Sequence, residues 1–575
     1  MKIIDKIYQE LKDVFVKLEL DAEKAQVGIS NKPELCDYQC NACFMLAKSK
    51  GMIPVKLAEL VANAYNQNQD RSAEASFCAP GFVNFVVNDK AFCEVASAML
   101  EDERAGVVAK KKEKIILDFG GANVAKPLHV GHLRSAVIGE SVKRIARFLG
   151  DEVVGDAHLG DWGLQMGLVI AQMMDEVDCS YYFDGDGEKP QISMENLNVW
   201  YPKASARQKE DEDFKNRAKM ITAKLQNKEK GYFELYQDIK TVSIQSVDKE
   251  YRDLNVYFDL FYGESNAEPY IKPMLELLED KKLTKESQGA TIVEVKRESD
   301  KAPMPPVIVK SSAGSDLYAT TEIATILMRI KEFNPDQIWY VTDDRQSLHF
   351  EQVFRVAELC GFCDNGLKLL HFPFGTVNGK DGKPFKTRQG GTMKLGELCQ
   401  MITLKAQEKI KESTAQGDDA LAKEIGIGAL KFGDLINFRA KDYVFDIDKF
   451  ISFDGKTGPY IQYCAVRIKS ILKKCDKPAS DVVCGELGAL EKKILLECFN
   501  FETAVLNAYQ EKAPNYIAQN LYDICQAFST FYNSTKIISE QNEAKKSNYL
   551  NICKLVLKIL TIGLGLLAID VPEKM

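Results

Sequence analysis

The stretch that most constrains this chain is Asn123-Val-Ala-Lys-Pro-Leu-His-Val-Gly-His-Leu-Arg134. It sits between an apolar run, Ile115 to Phe119, and an amphipathic segment, Leu133 to Leu149. That order reads as strand, tight loop and helix. A helix start presents unpaired N–H groups and the positive end of a dipole, which suits phosphate. His129 and His132 add side-chain donors there, and Gly131 lets a flat ligand lie against the backbone. A site for a nucleotide triphosphate follows.

Zinc is the rival reading of the two histidines. The paired-histidine zinc helix spaces its ligands by four and carries a glutamate beside the first. Here the spacing is three, and Pro127 and Gly131 interrupt the helix around His129. The chain has 5 His, namely His129, His132, His158, His349 and His371, all in its middle. That clustering places the chemistry in the central region.

With 575 residues the chain should hold several domains. Its 45% hydrophobic and 27% charged residues are ordinary for a globular protein. No uninterrupted apolar run reaches the length of a membrane span, and Met1-Lys-Ile-Ile-Asp-Lys6 lacks a signal-peptide core, so a cytoplasmic location is expected. A net charge of −8 argues against wholesale coating of nucleic acid but allows a local basic face. Lys110 to Lys114 and Lys469 to Lys477 are the candidates, with solvated surface as the plainer reading.

The 15 Cys are scattered, which suits reduced thiols packed as small apolar groups. Cys36, Cys40 and Cys43 fall at i, i+4 and i+7, the spacing of one helix face, and read as core because no second Cys/His pair follows nearby. Cys360-Gly-Phe-Cys363 has redox spacing, but Gly361 reads as a helix stop after Phe350 to Leu359.

The expected class is α/β plus all-α. Residues 1–108 form a small α/β domain that includes a strand at Pro80 to Val87, and residues 109–450 form a nucleotide-binding α/β domain. That domain carries a charged helical insertion at about 176–265 and further strands at Val307–Val309 and Ile338–Thr342. Residues 451–575 form a helical domain, in which Leu487 to Leu567 shows apolar spacing of three and four, the pattern of a helix bundle.

His129-Val-Gly-His132 resembles the first signature of class I aminoacyl-tRNA synthetases, whose catalytic domain is Rossmann-like. Together with Leu159 to Gly163, Asp316 to Ala324, Asp344 to His349 and Gly458 to Tyr463, it resembles the arginyl-tRNA synthetase family over essentially the whole chain. The resemblance implies that L-arginine is activated by ATP, accompanied by Mg²⁺, and then passed to the terminal adenosine of its tRNA. His129 and His132 would donate to phosphate, with Lys126 adding positive charge and Gly131 lying against ATP. The second signature corresponds to Lys383-Pro-Phe-Lys-Thr-Arg-Gln-Gly-Gly391, but Phe385 stands where Met is usual and the lysine pattern is not kept. Lys386 and Arg388 are its ATP-contact candidates. An exposed turn around Asp381-Gly382 is the plainer reading, and the resemblance implies that Lys126 compensates for the irregular loop.

The resemblance also implies that Asp118, Tyr318 and Glu322 receive the guanidinium, with Asn123, His129 and Gln346 holding the α-amino and carboxylate end. Relative to the family the two acids are exchanged in length. Read alone, Asp118 is a solvated strand-end acid and Glu322 a helix-surface charge. The N-terminal domain would touch the tRNA elbow. The bundle would read the anticodon, with Tyr460, Gln462 and Tyr463 at its entrance, although tyrosines at helical spacing also suit a core. The resemblance further implies a monomer and no dedicated protein metal site, in a family that often needs bound tRNA before it activates arginine. The charged middle region is short for an editing domain, so no editing is expected, and no membrane partner is expected. Two rivals are a small H-x-G-H nucleotidylyltransferase and an inactive synthetase-like tRNA-binding regulatory protein. The long helical C-terminus speaks against the first, and the retained histidines and acids against the second.

Overall fold

The computed structural model describes residues 3–32, 35–312, 317–383, 385, 393–412, 419–475 and 481–575. At the N-terminus a four-stranded antiparallel sheet runs in the order Gly28–Ile29, Tyr38–Cys40, Phe82–Val87, Ala73–Cys78. Helix Pro54–Asn66 buries Leu57, Val61 and Tyr65, the last with its ring 5.0 Å from that of Phe85. Cys36, Cys40 and Cys43 are all buried but do not share a helix. Cys40 ends a strand paired with Phe82–Val87, and Cys43 begins a short helix, so sheet pairing overrides their helical spacing.

The central domain is built on strands β1 (Lys114–Phe119), β2 (Glu152–Asp156), β3 (Gln337–Val341) and β4 (Lys368–His371). All neighbours are parallel, in the order β4-β3-β1-β2. β1 is buried from Ile115 to Phe119, as a strand covered on both faces must be. Helix α1 (Leu133–Phe148) follows it and leads to β2 on one side, while β3 lies on the other side of β1. The strand order therefore reverses between β1 and β3, and a crevice opens at their carboxyl ends.

Between β2 and β3 come helices Met194–Arg207 and Glu212–Gln226, the long α2 (Lys230–Asp253), Glu264–Asp280 and then α3 (Tyr318–Phe333); α4 (Ser347–Leu359) follows β3. Charged and helix-forming in sequence, the 176–265 region is helical up to Asp253. Its end then returns to the sheet, where Leu260 bridges Asp156 and Gly263 bridges Leu159.

Five helices, Gly458–Lys473, Ala489–Phe499, Phe501–Glu511, Asn515–Ser534 and Glu543–Leu566, complete the chain. The last is, by length and composition, long and apolar enough to cross a membrane, although no single uninterrupted run predicted it. It lies within the bundle, with 61% of its apolar window buried. Its final carbonyls are received by the central domain. Ser141 Oγ donates to Leu566 at 2.8 Å and Arg144 to Gly565 at 3.0 Å, and buried Lys431 donates to Ala568 just past the helix end at 2.6 Å and to Leu254 at the end of α2 at 2.5 Å. Side-chain donors at a helix C-terminus satisfy carbonyls that have no partner within the helix.

The basic run at 110–114 is not an open patch. Lys110 pairs with Asp151 at 2.8 Å and Glu113 at 3.0 Å, and Lys112 with Glu152 at 2.9 Å. Lys469 is likewise held, by Glu573 at 2.6 Å.

Candidate active site

Beyond β1 the chain turns at Gly120, whose φ is +67°, and enters the loop that precedes α1. The insertion helix α2 braces this loop at two points. Tyr251 donates to the Gly120 carbonyl at 2.6 Å, and the Ala125 N–H donates to Ser243 Oγ at 3.0 Å. Ala125 has φ +63°, a left-handed conformation that costs a residue with a Cβ about 1 kcal/mol. The loop is also zipped to the segment after the second signature. Val130 N–H donates to the Met393 carbonyl, and Leu395 N–H to that of Leu128, each at 3.0 Å.

These bonds aim the two histidines. The Gly131 N–H donates to His129 Nδ1, and the His129 N–H to His132 Nδ1, both at 3.0 Å. His132 Nδ1 also lies 3.3 Å from the His129 carbonyl, but the shorter contact with the His129 N–H makes it an acceptor, so each neutral ring is assigned its proton on Nε2. A Cβ on Gly131 would meet His129 Cε1 at 2.7 Å, so only glycine admits this ring position. Burial pushes His132 down to about 3, and a proton on it would also meet His129. Burial, then Lys126, holds His129 below its usual value. Two neutral N–H donors therefore stand at the helix start.

A cavity of about 340 Å³ opens here, walled by Asp118, Asn123, His129, Gly131, His132, Tyr318, Glu322 and Gln346 among others. The site residues expected from sequence thus converge, with two kinds of exception. Lys126 is not part of the wall; its Nζ lies 6.0 Å from the Tyr201 ring of the insertion, near enough to depress both histidines. Lys386 and Arg388 lie outside the described residues, as does Asp316. Of the second-signature loop, Phe385 packs on Phe445 with centroids 4.9 Å apart, and Gly382, φ +73°, makes the turn expected beside Asp381.

The cavity's far end is acidic. Glu322 is only 6% exposed, and its Oε2 is buried with no hydrogen-bond partner among the described residues. Burial raises its pKa, with Asp118 adding to the shift. Tyr318, one turn earlier on α3, has its phenol pushed up, first by the charge of Glu322 and then by burial. Its ring stacks on His349 with centroids 4.7 Å apart. Asp118 is buried, and its Oδ2 receives Arg329 Nη2 at 2.6 Å. Neither acid is the solvated surface charge that its sequence position alone suggests.

Several residues here were not singled out from sequence. Glu264 lines the cavity and is held above its usual pKa by burial, while its Oε2 accepts the Trp162 N–H at 3.3 Å. His158 lines it too, 3.5 Å from Asp156. The Leu159–Gly163 turn was the available signal. Its Asp161 is fixed by Lys240 at 2.6 Å, Tyr236 at 2.8 Å and Ser265 at 2.7 Å. A Cβ on Gly160 would meet Asn123 Oδ1 at 2.3 Å, so that turn lies directly under Asn123.

At the bundle entrance the three residues separate. Gln462 is fully buried and holds the Asp570 carbonyl at 2.9 Å. Tyr460 is half-buried, 3.1 Å from Ser529 Oγ. Tyr463 is 37% exposed, and Arg467 spans the Tyr463 and Tyr532 rings at 4.6 and 4.9 Å.

A parallel sheet whose switch point carries this His-x-Gly-His loop, joined to a helical bundle, defines a class I aminoacyl-tRNA synthetase. Residues 94–447 match the family model for the class I (R) tRNA synthetase catalytic domain. Residues 1–87 match the arginyl-tRNA synthetase N-terminal domain and residues 461–575 the DALR anticodon-binding domain. The arginine–tRNA ligases of Agathobacter rectalis and Alkaliphilus oremlandii are 42% and 43% identical, each pairing covering 100% of both chains. The solved arginyl-tRNA synthetases of Plasmodium falciparum and Thermus thermophilus share the fold, with TM-scores of 0.81 and 0.79 at 24% and 20% identity. Each covers 100% of this chain, and 99% and 100% of those chains. The chain belongs to the arginyl-tRNA synthetase family, and its activity is that of an arginine–tRNA ligase using ATP.

Proposed function

We propose the following division of labour in that reaction. An oxygen of the arginine carboxylate attacks the α-phosphorus of ATP, the bond to the β-phosphate oxygen breaks, and pyrophosphate leaves with that electron pair. Nε2–H of His129 and of His132 donates to the α-phosphate as negative charge builds, and the Gly131 backbone lets the nucleotide lie close. Lys126, Lys386 and Arg388 supply positive charge around the leaving phosphates, with Mg²⁺ carried on the nucleotide.

Glu322, Asp118 and Tyr318 receive the guanidinium, while Asn123, His129 and Gln346 orient the α-amino and carboxylate groups. The observation that carries this is Glu322 Oε2, a buried carboxylate oxygen of the cavity wall with no hydrogen-bond partner among the described residues. A planar cation rich in N–H groups supplies what that oxygen lacks. Pyrophosphate exchange with Glu322→Gln tests it; an unchanged arginine KM rejects the assignment.

A ribose hydroxyl of the tRNA's terminal adenosine then attacks the arginyl carbonyl. AMP leaves and the hydroxyl proton passes to solvent. Residues 1–108 lie on the tRNA elbow, and residues 451–575 on the anticodon, where Tyr463 and Tyr460 offer aromatic faces. A neutral competitor leaves buried carboxylates unpaired, so binding alone discriminates and no hydrolytic editing is needed. The enzyme acts as a cytoplasmic monomer. Bound tRNA is required for arginine activation; equal exchange rates with and without tRNA would remove that requirement.

A further inference from the structure

We propose that Arg329 is a built-in guanidinium that positions Asp118 and makes the substrate pocket selective for one further guanidinium. The inference rests on the arginine-pocket reading above. β1 and β2 pair with Asp118 directly opposite Asp156, so two carboxylates stand side by side at the sheet's carboxyl end. Both are buried. Two such acids cannot remain ionised together without a cation between them. Arg329 is that cation: its Nη2 lies 2.6 Å from Asp118 Oδ2 and 2.8 Å from Asp156 Oδ2. The residue is 1% exposed, and its guanidinium lies 5.4 Å from the Tyr340 ring centroid.

Two consequences follow. Asp118 borders the cavity while Arg329 and Asp156 do not, so Arg329 grips Asp118 from behind and takes its Oδ2. Only Oδ1 remains for a ligand. Arg329 also lies on α3, two turns beyond Glu322, so one helix supplies both the internal cation and the open acceptor. Of the carboxylates lining the cavity, Glu322 alone has a buried oxygen without a partner among the described residues.

Without Arg329 the Asp118–Asp156 pair would itself be the strongest cation trap, and a compact ammonium would serve it as well as a guanidinium. With Arg329 in place, the cavity offers the Glu322 carboxylate and Oδ1 of Asp118 on different elements, with Glu264, whose Oε2 alone is engaged, as a further acceptor. A planar fork of donors spans such a pair and a point charge does not. Arg329 is thus a positioning residue that acts through Asp118.

Pyrophosphate exchange by the full-length enzyme with its tRNA tests this, using Arg329→Ala, Arg329→Lys and, in parallel, Glu322→Gln. For Arg329→Ala we expect an arginine KM raised about tenfold or more with the ATP KM near wild type. Millimolar guanidinium should partly restore that KM while only inhibiting the wild type. Both contacts run through Nη2, while Nε and Nη1 are buried without partners among the described residues. Arg329→Lys keeps a charge on a group of different shape and reach, and its arginine KM should rise severalfold, with lysine a better competitor than in the wild type. If Arg329→Ala does not fold, Arg329→Lys decides. A wild-type arginine KM in either folded variant overturns the proposal, as does an equal rise in the arginine and ATP KM values without guanidinium rescue. If Glu322→Gln loses arginine while the Arg329 variants keep it, only the role of Arg329 falls. If Glu322→Gln keeps arginine, the pocket reading falls with it.

Discussion

The imidazoles of His129 and His132 face each other with centroids 4.0 Å apart, each turning Nδ1 to a backbone N–H. Both are therefore neutral donors, and both pKa values are depressed. His129 and His132 should contribute no titration to pyrophosphate exchange between about pH 6.5 and 8. His158, which burial would lower but Asp156 holds above its usual value, is the cavity histidine that titrates there. His132→Ala should lower the exchange kcat about 10²–10³-fold, the usual effect of losing one preorganised donor. A pH profile and single-turnover rates check both.

Stability should follow the same histidine. In the unfolded chain His132 takes a proton near 6.5, whereas in the folded protein it does so only near 3. Between those values the unfolded state binds more protons, so stability falls as pH drops below about 6.5. Urea midpoints at pH 7.5 and 5.5 should show this loss, and His132→Asn should reduce it.

Ser243 holds the loop at its left-handed residue. Ser243→Ala would leave the buried Ala125 N–H without an acceptor, at a cost of about 1–3 kcal/mol. Ala125→Gly relieves the backbone and should be neutral or stabilising by under about 1 kcal/mol. Urea unfolding of both variants measures this. Ser243→Thr, which keeps the hydroxyl, should lie closer to wild type than Ser243→Ala.

Lys431 joins the last helix to the insertion through the carbonyls of Ala568 and Leu254. Lys431→Met removes donors from two carbonyls and should cost about 1–3 kcal/mol. Limited proteolysis should then release the C-terminal bundle earlier than in the wild type, while the arginine KM stays unchanged.

The core of the fold was legible because local and long-range signals agree there. The apolar run of β1, the His-x-Gly-His loop and the periodicity of α1 all point to one arrangement, and the structure has it. Cys36, Cys40 and Cys43 show the opposite case: helical spacing lost to pairing with Phe82–Val87, a partner far away in sequence. Long-range contacts also hid part of the site. Arg329 reads as one more charge on an amphipathic helix until β1 and β2 bring Asp118 and Asp156 to it. Gln462 sits beside two tyrosines in sequence yet turns inward, because the Asp570 carbonyl it holds lies at the chain's end.

Glu322 carries the reading of the pocket, and one comparison tests it most directly. Pyrophosphate exchange is measured with arginine and with citrulline, its uncharged isostere, for wild type and Glu322→Gln. The wild type should use arginine alone, and Glu322→Gln should lose about 10²-fold or more in kcat/KM for arginine at an unchanged ATP KM. If Glu322→Gln uses arginine as well as the wild type does, or the wild type activates citrulline comparably, Glu322 is not the group that receives the guanidinium.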